Sequence, residues 1–168
     1  MGDISMRRSA RFGDVIGVDR GLYQHFGVYV GNDRVIEYAT PTGDFEGTAR
    51  VQEVSLEKFL GDAADFFICQ FLKEDDLEEI VSEGEGDSLW DIIRLLRRTI
   101  KGERYHLYTP EETVQRARSR LGETAYNLAL NNCEHFAVWC KTGVSESAQV
   151  NRILAFMEER IRLRLKQS

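Results

Sequence analysis

Apolar residues recur at every second position in short runs up to Lys73, and at spacings of three and four after it. The first period belongs to half-buried strands and the second to amphipathic helices. Strands are therefore predicted at Asp14 to Val18, His25 to Val30, Arg34 to Ala39, Thr48 to Val54 and Asp65 to Lys73, with one capped helical turn at Ser55 to Leu60. Helices follow. An amphipathic basic one spans Ser88 to Arg98, and another opens at Thr109-Pro110-Glu111-Glu112, carries Val114, Ala117 and Leu121 as its apolar face, and closes at Gly122. A third has Asn132 as its cap, Cys133 in its first turn, a stripe of Phe136, Ala137 and Cys140, and its end at Gly143. The last, Ser147 to Lys166, places Val150, Ile153, Leu154, Met157, Ile161 and Leu165 at helical spacing.

One register follows from turn chemistry. Gly31-Asn32-Asp33 suits a three-residue hairpin connection, which pairs Val30 with Arg34, Gly27 with Glu37 and His25 with Ala39. Phe26, Val28, Val30, Ile36 and Tyr38 then share a core face, and His25, Gly27, Tyr29 and Glu37 share the other. A two-residue turn would separate His25 from Glu37.

At 168 residues and 42% hydrophobic, the chain can bury a core of its own. Its 22 basic and 28 acidic residues give a net charge of −6, which argues against nucleic acid as a partner. Cys69, Cys133 and Cys140 have no metal-type spacing, and there is no leader-like or membrane-spanning apolar run. A reduced, cytoplasmic setting is expected, with no metal and no cofactor. Residues 1–11 read as a flexible lead-in. Glu74 to Asp87 is strongly acidic and precedes the basic helix.

Cys133 carries the chemistry. The free N–H groups and positive dipole end of a helix start favour thiolate over thiol, which makes a cysteine nucleophilic. The hairpin register sets His25 diagonal to Glu37 with the bare Gly27 between them, an imidazole that can move the thiol proton and a carboxylate that can orient it. The same residues also fit a small buried cysteine beside a solvated strand face, and taken singly they leave that alternative open. His135 lies two positions from Cys133, on nearly the opposite side of the helix, and His106 reads as structural. Cys69 and Cys140 sit in apolar runs and read as core residues.

Gly13-Asp14-Val15-Ile16, Tyr23-Gln24-His25-Phe26-Gly27-Val28-Tyr29-Val30-Gly31 and Asn132-Cys133-Glu134-His135-Phe136 together resemble the lecithin:retinol acyltransferase domain. Within it they look like the small phospholipase/acyltransferases of H-Ras-like suppressor type. Tyr105 to Gly122 and Gly143 to Val150 extend the likeness. The resemblance implies an α+β fold, an antiparallel sheet packed on helices, in a circularly permuted arrangement of the NlpC/P60 (papain-like) thiol hydrolases. It implies a catalytic domain at 12–146 with an acidic and amphipathic insertion at 74–104, followed by a C-terminal helix at 147–168. By the same likeness Cys133 is the nucleophile, His25 the general base, and Glu37 stands at the third polar position, where animal members usually carry a second histidine. Arg20 and Gln24, beside the base, are candidates for substrate or oxyanion contacts, or else residues of a solvated loop.

The implied activity is acyltransferase or phospholipase A1/A2 chemistry on glycerophospholipid or other acyl esters through a Cys133 thioester. Two alternatives remain: a thiol peptidase or amidase of NlpC/P60 type, and a non-catalytic binding module of the same fold. The stretches 88–101 and 147–166 are candidates for peripheral membrane contact. The pattern carries no prediction of oligomeric state.

Overall fold

The computed structural model describes residues 9–40, 48–71, 73, 105–124 and 132–145. The acidic stretch, the basic helix at 88–98, the segment at 126–130 and the C-terminal helix lie outside the described residues, as does most of the lead-in.

Five strands form one antiparallel sheet: β1 (Val15–Asp19), β2 (Gln24–Tyr29), β3 (Arg34–Ala39), β4 (Arg50–Ser55) and β5 (Phe67–Ile68), in the spatial order β4-β3-β2-β1-β5. With helices α1 (Leu56–Leu60), α2 (Pro110–Ser119) and α3 (Asn132–Thr142), the architecture is α+β. The β2–β3 turn is the three-residue connection that its sequence predicts. Val30 N–H donates to the Arg34 carbonyl at 2.9 Å, and Asn32 and Asp33 take positive φ of 50° and 54°. Gly27 therefore pairs with Glu37.

The outer face of this hairpin is not solvated. Phe26, Val28, Val30, Ile36 and Tyr38 pack with Val114, Ala117, Phe136, Ala137 and Cys140 from α2 and α3. On the opposite face Ile16, Val18 and Val35 pack under Phe59 of α1. A sheet covered on both sides buries even its polar positions, and His25 and Glu37 are only 8% and 5% exposed.

Local chemistry sets the helix ends. Ser55 accepts from Lys58 N–H at 3.1 Å to start α1. Thr109 and Glu112 form a reciprocal capping box at α2, with bonds of 3.0 and 3.2 Å, and Pro110 opens the helix. Asn132 is already helical, so α3 begins one residue earlier than a cap at that position implies. Gly143, at φ 75°, donates to the Trp139 carbonyl and ends α3. Leu121 departs from the predicted apolar face: α2 stops at Ser119, and the turn beyond it leaves Leu121 45% exposed. β5 is also shorter than its pattern. Phe66 and Ile68 face one core and Phe67 and Cys69 the other, as in a strand, but only Phe67 and Ile68 join the ladder to β1. Among the described residues no helix is long and apolar enough to cross a membrane.

Candidate active site

The site lies where β2 and β3 part. Their ladder covers Gly27–Tyr29 and Val35–Glu37 and stops there, so the predicted pairing of His25 with Ala39 does not form. Cys133, in the first turn of α3, packs with the core cluster of Phe26 and Tyr38. Its sulfur lies 3.9 Å from the carbonyl oxygen of Gln24, the first residue of β2, and Cys133 is close enough to the His25 ring to help raise its pKa. Nε2 of His25 meets Oε2 of Glu37 at 2.7 Å, which leaves Nδ1 as the nitrogen for the thiol. Glu37 Oε1 in turn accepts from Gln52 Nε2 at 3.0 Å. A line of contacts thus runs from β4 through β3 and β2 to the start of α3.

Burial is the largest influence on both charged groups, and it opposes charge in each. The bonds and charges of Cys133 and Glu37 outweigh it at His25, whose pKa is carried from 6.5 up to about 9. At Glu37 the His25 bond and charge, the Gln52 amide and the Lys58 charge outweigh it and hold the carboxyl below its ordinary range. These contacts favour the protonated imidazole, which has a sulfur on one side and a carboxylate on the other. Such a ring can deliver a proton to a leaving group and take one back from an incoming nucleophile.

Phe59 was not singled out by sequence pattern beyond its place in an apolar turn. Its ring lies 5.2 Å from the His25 ring at a 33° tilt and is fully buried. Gly27 makes that approach possible, since a Cβ there would stand 3.0 Å from Phe59 Cε2 and 2.6 Å from Val35 Cγ1. Gln52 also escaped sequence reasoning, because the β3–β4 register that sets it opposite Glu37 has no short turn to announce it.

Arg20 occupies a different place from the one its neighbourhood suggests. Its guanidinium donates to the carbonyls of Phe59 and Leu60 at 2.6 Å each and so closes the C-terminal end of α1. Its link to the site runs through that helix. Gln24 contributes its main-chain carbonyl. His135 is half-buried, and burial lowers its pKa; among the described residues its buried Nε2 meets no hydrogen-bond partner. Burial pushes the Cys69 and Cys140 thiols up to about 12. Among the described residues no three His, Cys, Asp or Glu side chains gather as metal ligands.

Residues 8–146 match the family model described as lecithin retinol acyltransferase. The chain belongs to the lecithin retinol acyltransferase family. It is 31% identical over 147 residues to lecithin retinol acyltransferase of Rattus norvegicus, covering 83% of this chain and 58% of that protein. With phospholipase A and acyltransferase 1 of Homo sapiens it shares 31% over 147 residues, covering 87% of this chain and 76% of the relative. Phospholipase A and acyltransferase 2 of Homo sapiens is 30% identical over 145 residues, covering 86% and 78%. The match thus spans under two thirds of the length of the lecithin retinol acyltransferases.

Proposed function

We propose that this member of the family is a cysteine-dependent acyltransferase or phospholipase A acting on glycerophospholipid acyl esters, with Cys133 as nucleophile, His25 as its acid–base partner and Glu37 as the group that orients His25. One observation carries the reading: a helix-start thiol set beside an imidazole whose Nε2 is held at 2.7 Å by a buried carboxylate. The Cys133 thiolate attacks the ester carbonyl carbon. The tetrahedral intermediate collapses to a thioester as the leaving alkoxide takes the proton from His25. Neutral His25 then removes a proton from water, an alcohol or an amine as that nucleophile attacks the thioester, which restores thiolate and imidazolium.

We read the architecture as the circularly permuted NlpC/P60 type, with the catalytic domain at 12–146, an insertion at 74–104 and an appended helix at 147–168. The setting we propose is cytoplasmic, with peripheral contact to membranes through 88–101 or 147–166. Leu22 supports an interfacial substrate. It is fully exposed two residues before Gln24, on a turn tied by Arg20 N–H to the Tyr23 carbonyl and by Gly21 N–H to Asp19 Oδ1.

The test is acid-quenched mass spectrometry of the full chain after incubation with phosphatidylcholine vesicles. An acyl adduct on Cys133, missing in Cys133→Ser and scarce in His25→Ala, is the expected result. Cleavage of peptide amides without lipid turnover would select a thiol amidase instead, and no adduct with either substrate would leave a binding module.

A further inference from the structure

Glu37 is the central group of the contact line, and its two oxygens serve different strands. Oε2 faces His25 of β2, a diagonal neighbour, while Oε1 faces Gln52 of β4, its direct cross-strand partner. A glutamate has three side-chain torsions, the last of them broad, so a carboxylate tethered at one oxygen only can pivot away from its partner. Gln52 removes that freedom. Its amide brings a donor without a charge, which leaves the negative charge of Glu37 available to the imidazolium; a lysine there would form a competing ion pair. The groups acting on Glu37 are His25 from β2, Gln52 from β4 and Lys58 from α1, and those acting on His25 are Cys133 from α3 and Glu37 from β3.

We propose that Gln52 is a positioning residue of the site, whose amide fixes Glu37 through Oε1 and so presents Oε2 to His25. This rests on the proposed Cys133–His25–Glu37 chemistry and adds a fourth side chain to it. The backbone around Gln52 is braced for such a task. Val51 beside it donates to the Glu123 carbonyl at 3.0 Å and accepts from Gly122 N–H at 2.8 Å, so this part of the β4 edge is held by the segment after α2.

An ordinary cross-strand pair would affect stability alone, whereas a positioning residue affects the titration of His25. The experiment is NMR titration of the His25 ring in the full-length wild type, Gln52→Leu and Gln52→Met. Gln52→Leu deprives a buried carboxylate of a donor and should lower the His25 midpoint by about one unit. Gln52→Met keeps roughly the size and flexibility of the side chain, also lacks the donor and adds no charge, so it should lower the midpoint in the same way. A midpoint equal to that of wild type in Gln52→Leu overturns the proposal, and Gln52→Met decides in the same sense if the Leu variant fails to fold. Alkylation of Cys133 by iodoacetamide in His25→Ala separates the two levels. If His25→Ala leaves the thiol as reactive as in wild type, the catalytic reading itself fails; if reactivity falls while Gln52→Leu titrates like wild type, only the role of Gln52 is lost.

Discussion

Replacing Glu37 by Gln asks how much of the His25 charge the carboxylate sustains. Carrying His25 from 6.5 up to about 9 corresponds to about 3 kcal/mol in favour of the imidazolium. Because burial works against it, the bonds and charges of Cys133 and Glu37 must together supply more than that. A buried opposite charge at this distance is ordinarily worth about 1–3 units. Glu37→Gln retains an oxygen that can accept from Nε2, so the loss is mainly that of charge. The His25 midpoint is expected to fall by about 1–2 units, equivalent to about 1–3 kcal/mol of imidazolium stabilisation. Two assays read it. Ring resonances of His25 can be followed through pH, and with three histidines in the chain assignment by single substitution is direct. The alkaline limb of the turnover profile, where His25 loses the proton owed to the leaving group, should move down by the same amount. An unchanged His25 midpoint in Glu37→Gln, or a wild-type midpoint near 6.5, refutes the reasoning.

Folding stability should itself report His25. Its folded pKa is raised, so the stabilisation, on the order of 3 kcal/mol, is fully present below pH 6.5 and is lost as pH rises through about 9; urea unfolding should show that loss in wild type and not in His25→Ala. Gly27→Ala drives a methyl against Val35 and Phe59 and should cost about 1–3 kcal/mol in urea unfolding, with a matching fall in activity as Phe59 is displaced from His25. Leu22→Asp, at a fully exposed position, should leave stability within about 0.5 kcal/mol and turnover of a soluble short-chain ester unchanged, yet weaken turnover on vesicles. Thr109→Ala removes one half of the α2 capping box and should lower stability by about 1 kcal/mol by thermal unfolding.

Local signals carried much of this molecule. The β2–β3 hairpin is legible because Gly31-Asn32-Asp33 dictates a loop length, loop length dictates register, and period-two alternation then assigns His25 and Glu37 to one face. Ser55 and Thr109 act through groups three residues away, so their caps are legible too. Leu121 misled because a helical period cannot say where a helix stops unless a terminator is read with it.

The sequence by itself determined the candidate chemistry: a cysteine at a helix start, a histidine and a glutamate in register, and a family likeness spread over separate boxes in the right order. Only the tertiary structure decided their surroundings. Whether the His25–Glu37 face meets water or Phe59 depends on where α1 packs, a contact between residues far apart in the chain. The parting of β2 from β3 beside Cys133, the turn of Arg20 toward α1 and the alignment of Gln52 with Glu37 are likewise long-range events. Periodicity and turn chemistry act over a few residues. The charge on a buried imidazole depends on everything packed around it.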